Sequence, residues 1–442
     1  MQKPAMAVPE NPRVVIVGAG FGGLRAARKL AHSPVRVILI DRKNHHTFQP
    51  LLYQVATAGL SPGEIAAPIR WILRGQKNIE VLLGEVLDFD LDNRRVKLED
   101  LDIPYDYLIV AAGAMHGYFG HDEWEPFAPG LKTIEDAIEI RRRVLLAFEL
   151  AERQAAAGGP VLPLNFVIVG GGPTGVELAG TLAEISHHVL GHEFRSIDPK
   201  RTRIILLEGG PRILPAYAED LSRSAEEQLR HLGVEVRTST MVTKVEAAEV
   251  WMGNTPLPAA VILWAAGVAT SPLGRKLGAP VDRAGRVLVN PDLSVPGHPE
   301  IFVIGDLAAF KDEQGRMLPG VAPVALQEGA AAARGIIGDL EGQPRKVFHY
   351  IDKGSLATIG RNAAVAQFGK FHLSGFLAWL AWLFVHVFFL IGFQNRIIVL
   401  FQWAWSYLTY ERGARLITGD ERLPSWDEMK REQASGPTQG AV

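Results

Sequence analysis

The feature that most restricts this chain is a pattern that occurs twice. Residues Arg13 to Val17 form an apolar run that stops at Gly18-Ala19-Gly20-Phe21-Gly22-Gly23. A helical stretch over Leu24 to His32 follows, then a strand-like run from Val35 to Ile40 that ends at Asp41. Farther along the order returns: Phe166 to Val169, Gly170-Gly171-Gly172-Pro173-Thr174-Gly175, a helical pattern, then Arg203 to Leu207 and Glu208. Each half also has a matching later strand. Tyr107 to Val110 enters Ala111-Ala112-Gly113, and Val261 to Trp264 enters Ala265-Ala266-Gly267. An internal repeat of this kind guides the fold more firmly than any single motif.

Strand, glycine turn, helix, strand and acid make up the opening of a dinucleotide-binding unit. Glycines at the first, third and sixth positions are Gly18, Gly20 and Gly23 in one cluster and Gly170, Gly172 and Gly175 in the other. They make a tight turn, let phosphates approach the backbone and let helix and strand pack closely. A pyrophosphate then rests over free N–H groups at the helix start, where the dipole favours negative charge. Asp41 and Glu208, each at a strand end, can accept hydrogen bonds from adenosine ribose hydroxyls. One such cluster reads equally well as a plain turn before a helix; two, each with its strand, helix and acid, read as cofactor sites. A carboxylate at Glu208 repels a 2′-phosphate and so favours NADH over NADPH, although Arg212 is near enough in sequence to weaken that argument. The glycines leave open which cluster holds which dinucleotide. Asp306, in Ile304-Gly305-Asp306, either holds the hydroxylated chain of a flavin or caps the following turn.

Composition sets the limits. A chain of 442 residues suggests two or three domains, and 48% hydrophobic with 21% charged residues excludes wholesale disorder. The net charge of -2 gives no pull toward nucleic acid, and the 13 His are scattered without a metal-ligand cluster. There is no cysteine. That removes disulfides, thiolate metal sites, iron–sulfur clusters and thiol–disulfide chemistry by the protein's own residues. Met1 to Asn11 has no apolar core of the secretory kind, so a cytoplasmic setting is the default. The expected organisation is an outer domain over 11–125 and 290–370, with a second unit over 126–289 inserted into it.

The C-terminal part differs in character. Phe376 to Phe393 is apolar with His386 as its one ionisable residue, and Ile397 to Tyr410 follows the break Gln394-Asn395-Arg396. As one helix the first run reaches about 27 Å, slightly short of a roughly 30 Å hydrocarbon core. In the second, Asn395, Gln402, Ser406 and Thr409 fall on one helical face while Ile398, Leu400, Phe401, Trp403, Trp405 and Leu408 make the rest apolar. That pattern suits a membrane interface. Three readings stand: attachment of 371–418 to one membrane face, one span, or two buried helices at a dimer interface. A polar tail is expected over 419–442.

On these residues the chain resembles the type II NADH dehydrogenases, the single-subunit NADH:quinone oxidoreductases of respiratory membranes. The likeness runs from Val14 to about Arg415. It is carried by Gly18 to Gly23, Thr47-Phe48-Gln49-Pro50-Leu51-Leu52-Tyr53-Gln54, Gly170 to Glu177, Val303 to Asp306, Ala322-Pro323-Val324-Ala325-Leu326-Gln327-Glu328-Gly329 and the apolar C-terminal region. The resemblance implies an α/β fold with two Rossmann-like domains of the pyridine nucleotide-disulfide reductase type and a C-terminal amphipathic helical membrane-binding region. It implies that Gly18, Gly20, Gly23 and Asp41 bind the adenosine diphosphate part of FAD, and that Asp306 holds its ribityl side. Gly170, Gly172, Gly175 and Glu208 would bind NADH. Glu177 matches the family's acid beside nicotinamide and flavin, and Gln327 a residue lining the quinone headgroup site. The family often carries Gln where this chain has Pro323, which bears on the shape of the quinone site.

The activity implied is hydride transfer from NADH to FAD, then passage of two electrons to a membrane quinone, without proton pumping. The implied partners are NADH, a quinone and a bilayer surface, and a homodimer is left open. The implied location is the cytoplasmic face of the cell membrane, peripheral or monotopic. Read from the residues alone, Glu177 is also an ordinary first-turn helix acid and Gln327 an internal helix hydrogen bonder. With the chemistry carried by cofactors, both are positioning groups, Glu177 with a proton-relay role besides. Related enzymes that reduce disulfides or oxidise sulfide pass electrons through protein cysteines, a route closed here. One rival is a soluble NAD(P)H-dependent flavin reductase serving a small redox protein or another diffusible acceptor, which leaves 376–410 with nothing to do. Another is a membrane-attached flavin redox sensor, for which no output module is recognisable.

Overall fold

The computed structural model describes residues 11–390 except 160, 162 and 192, together with 393–409 and 413–419. The first repeat opens with β1 (Arg13–Val17), α1 (Phe21–Lys29) and β2 (Arg36–Asp41), followed by β3 (Ile79–Leu83) and β4 (Tyr107–Val110). The long helix α2 (Ile134–Ala156) leads to the second repeat. There the elements are β5 (Asn165–Val169), α3 (Pro173–Glu184), β6 (Arg203–Leu207), β7 (Val234–Arg237) and β8 (Val261–Trp264). The chain continues through β9 (Ser294–Val295), β10 (His298–Val303) and α4 (Ala322–Leu340). It then forms β11 (Ser355–Gly360), β12 (Ala363–Phe368), β13 (Phe371–Ser374), α5 (Phe376–Phe389) and α6 (Phe393–Thr409).

Two compact units result. One gathers the chain up to Thr47 with Ala66–Met115 and Val268–Lys353; the other gathers Phe48–Ile65, His116–Gly267 and the chain from Gly354 on. The first holds a six-stranded sheet in the order β9-β10-β4-β1-β2-β3, parallel except for the β9–β10 edge pair. The second holds a four-stranded parallel sheet in the order β7-β6-β5-β8. In each sheet the repeat's first strand is central, which explains why Val14 to Val17 and Phe166 to Val169 read as unbroken apolar runs. On both faces of such a strand side chains are buried, so alternation is lost. The strand order reverses at β1 and at β5, and ligands of such sheets bind beyond the carboxyl ends of the strands at that switch point.

Helix α1 begins at Phe21, with Gly20 as its N-cap, rather than at Leu24, and it closes by Lys29. Gly22 and Gly23 are helical despite the poor propensity of glycine, because packing overrides it. A Cβ at Gly329 of α4 would meet the Gly22 carbonyl at 2.2 Å, so the small residues of both helices allow their backbones to touch. The strand expected to run to Ile304 ends at Val303, and Ile304 caps the short turn Gly305–Leu307.

The run from Phe376 to Phe393 is not one helix. Helix α5 stops at Phe389, Leu390 turns extended (φ -62°, ψ 135°), and its carbonyl accepts the Arg396 Nε–H at 2.8 Å. With 14 residues α5 is about 21 Å long, well short of a hydrocarbon core. Among the described residues no helix is long and apolar enough to cross a membrane. Tyr410 and, but for Gly419, the expected tail 419–442 lie outside the described residues.

Candidate active site

The first glycine cluster is built around strain that only glycine accepts. Gly18 has φ +99°, and a Cβ there would meet the Ala111 carbonyl oxygen at 2.4 Å. A Cβ at Gly23 would lie 1.8 Å from the Gly18 carbonyl oxygen, whereas one at Gly20 would meet nothing within 4 Å. The turn is therefore tight beneath and open above, at the N-terminus of α1, as a pyrophosphate requires. Asp41, the last residue of β2, accepts the Ala19 N–H at 2.6 Å through Oδ2 and the Lys43 N–H at 2.7 Å through Oδ1. Each carboxylate oxygen keeps a further lone pair for a ribose hydroxyl.

The second cluster repeats this construction. Gly170 has φ +110° with the Ala265 carbonyl 2.6 Å from an added Cβ; Gly175 closes on the Gly170 carbonyl at 1.8 Å; Gly172 faces open space. Glu208 accepts the Gly171 N–H through Oε2 and the Gly210 N–H through Oε1, each at 2.6 Å. The two halves match bond for bond at the acid. The residues present thus fit a dinucleotide at each cluster. Arg212, close to Glu208 in sequence, donates to the Tyr217 and Pro215 carbonyls, each at 2.8 Å, so its guanidinium is directed to the backbone.

Glu177 lies in the second turn of α3, because that helix begins at Pro173. The reading of it as a first-turn acid is thereby displaced. Its side chain is half-buried, and desolvation pushes its carboxyl up to about 8, opposed by a hydrogen bond from the Thr358 N–H. That N–H reaches it because Gly180 has no side chain: a Cβ there would stand 1.6 Å from the Ile359 carbonyl oxygen of β11. Tyr217, held up by burial, also feels the charge of Glu177.

In the first unit, Gly305 (φ +72°) and Asp306 follow β10, and the Asp306 Oδ1 lies 3.1 Å from where a Gly320 Cβ would be. Two residues that motif reading left without a role hold this neighbourhood. Glu328, buried on α4, accepts the Gly305 N–H at 2.5 Å, and burial pushes its carboxyl up to about 8. His46, buried beside the first cluster, donates from Nδ1 to the Ala19 carbonyl at 2.9 Å. Gln327 is engaged with backbone, though not within its own helix: Nε2 donates to the Ile351 carbonyl at 2.9 Å and Oε1 accepts the Ile351 N–H at 3.0 Å. Pro323 sits in the first turn of α4, where a missing N–H costs no hydrogen bond.

Helices α5 and α6 pack with residues 48–65 in the second unit. Gln402 donates to the Glu64 carboxylate, and Trp403 Nε1 donates to Gln54 Oε1 at 2.7 Å. Trp382 stacks on His386 at 4.5 Å and leans on Trp403 at 5.2 Å. Outward stand Phe376, Leu380, Phe384 and Phe388 of α5, and Ile397, Phe401 and Trp405 of α6, each set at a spacing of one helical turn. Gln402 of the expected polar stripe thus meets protein, and the described exposed residues of the two helices are apolar. The side chains of Asn395, Ser406, Leu408 and Thr409 lie outside the described residues.

Comparison with known proteins agrees with this geometry. The model of the pyridine nucleotide-disulphide oxidoreductase family matches residues 12–329, and that of the NDH2 C-terminal domain matches residues 353–410. The type II NADH:quinone oxidoreductase Ndh of Mycobacterium tuberculosis is 46% identical, with 100% of this chain and 98% of that protein covered. NdhA of the same organism, also a type II NADH:quinone oxidoreductase, is 47% identical over 93% of this chain and 90% of its own. Among solved structures, NDH2 from Plasmodium falciparum in complex with NADH superposes with a TM-score of 0.82 at 21% identity, covering 92% of this chain and 100% of that one, a likeness of fold. The chain belongs to the pyridine nucleotide-disulphide oxidoreductase family and, within it, to the type II NADH:quinone oxidoreductases.

Proposed function

We propose that the protein oxidises NADH and reduces a membrane quinone, with FAD as its resident cofactor and without pumping protons. The observation that carries this reading is the pair of matched dinucleotide cradles, each with its acid, in a chain without cysteine. When bound, FAD supplies the two-electron chemistry between a hydride donor and a quinone. Residues 11–125 and 290–370 hold FAD through Gly18, Gly20, Gly23, Asp41 and Asp306. Residues 126–289 hold NADH through Gly170, Gly172, Gly175 and Glu208. The Glu208 carboxylate, with Arg212 turned to backbone carbonyls, supports NADH over NADPH. Glu177 holds a proton near neutral pH and serves as a relay. Gln327 orients the quinone through an amide that can donate and accept.

The exposed apolar rows on α5 and α6 support attachment of 371–418 to a bilayer surface, which we place on the cytoplasmic face. Such attachment suits a long-tailed quinone that stays in lipid. The rival reading, a reductase of a diffusible protein acceptor, gives those rows no role. Steady-state assays separate the two: purified protein should oxidise NADH in strict dependence on an added quinone. Turnover confined to a protein acceptor would defeat the reading.

A further inference from the structure

We infer that His46 is a positioning residue for FAD, acting through the glycine loop rather than by touching the cofactor. The inference rests on FAD occupying the first cluster. Ala19, between Gly18 and Gly20, is held at both ends of its backbone: its N–H by Asp41 at 2.6 Å and its carbonyl by His46 Nδ1 at 2.9 Å. A carbonyl can only accept, so Nδ1 carries the proton and Nε2 is the bare nitrogen. Nε2 is buried with no hydrogen-bond partner among the described residues, and the ring stands edge-on to Phe21 of the same cluster at 5.0 Å. Burial lowers the tendency of the ring to protonate. The Ala19 carbonyl and Asp41 oppose that effect, and Arg28 and His45 reinforce it.

The second repeat meets the same need differently. There the Gly171 N–H goes to Glu208 at 2.6 Å, but the Gly171 carbonyl accepts the backbone N–H of Leu214 at 2.7 Å. A backbone donor cannot be deleted by mutation, whereas the imidazole can. The first cradle alone therefore depends on a side chain for this contact. Loss of the Nδ1–H leaves a buried carbonyl unpaired and lets the loop turn, which weakens the array of N–H groups facing the pyrophosphate.

A side-chain series tests the role. The Nδ2 of Asn stands as many bonds from Cα as Nδ1 of His, whereas the Nε2 of Gln is one bond farther. His46→Leu should raise the FAD dissociation constant of the holoenzyme at least about tenfold, read by the fluorescence of released FAD. His46→Asn should hold FAD nearly as tightly as the wild type, and His46→Gln should resemble His46→Leu. Equal FAD affinity in His46→Leu and wild type, or rescue by Gln as complete as by Asn, would overturn the inference. If His46→Leu does not fold, the Asn and Gln variants decide by their order alone. Release of a mononucleotide by the wild type would instead sink the assignment of FAD to the cluster.

Discussion

The side-chain amide of Gln327 is closed on the backbone of Ile351, donating to its carbonyl at 2.9 Å and accepting its N–H at 3.0 Å. The clip uses one of the two Nε2 hydrogens, so the second can reach a quinone carbonyl while Ile351 holds the amide in place. Gln327→Ala should leave reduction by NADH within about twofold of wild type and slow reoxidation by quinone about tenfold or more in rapid mixing. Equal slowing of both steps would point to general damage at the flavin pocket.

Glu177 should set the pH dependence of the quinone half-reaction. With its carboxyl pushed up to about 8 by burial, it is protonated at neutral pH and loses that proton as pH rises. The wild-type reoxidation rate should fall as pH passes through about 8. Glu177→Gln should be slower at neutral pH and show no fall in that window. A profile unchanged in Glu177→Gln would remove the relay role.

Glu328 makes a prediction about stability. Its carboxyl ionises near pH 4.3 in an unfolded chain but is held protonated to about 8 by burial, the Gly305 N–H opposing and the charge of Asp306 assisting. Between those values the folded state binds more protons than the unfolded one. The stabilisation present below the unfolded value is therefore lost as pH rises toward 8. Glu328→Gln keeps an acceptor for Gly305 and removes the titration. Relative to wild type it should gain about 1–3 kcal/mol between pH 5 and 8, seen as a shallower fall of Tm with pH. Parallel Tm curves would show that Glu328 does not carry this effect.

Membrane attachment can be tested without deleting α5, whose Ala378 packs on Ala364 and Ala366 of β12. Phe384 and Phe401 are 71% and 74% exposed, so replacing both by Gln removes lipid contacts and spares the core. Each large apolar side chain in lipid contributes about 1.5–3 kcal/mol. The double variant should leave liposomes in a sedimentation assay and lose turnover of long-tailed quinones, with short, water-soluble quinones unaffected. Retained liposome binding would place the attachment elsewhere.

The elements legible in sequence were those whose pattern is local. Arg203–Leu207, Tyr107–Val110 and Val261–Trp264 are strands to the residue, because β-branched and apolar runs between turn residues leave no other reading. The start of α1 was not legible, since glycines that look like a turn become helical only when α4 packs on them. Glu208 and Asp41 stand where the motif puts them. The roles of Thr358 and His46 depend on contacts between segments far apart in the chain, for which a single sequence carries no signal. Glu328 lay inside a recognised motif, but its burial and its bond to Gly305 are products of tertiary packing.

The central claim is that electrons pass from NADH through a bound flavin to a quinone. Anaerobic rapid mixing of the purified holoenzyme tests it directly, by following flavin absorbance through two successive additions. NADH should bleach the flavin, and a quinone added next should restore the oxidised spectrum at a rate that supports steady-state turnover. A flavin that NADH leaves oxidised, or one that stays bleached in the presence of quinone, would contradict the account.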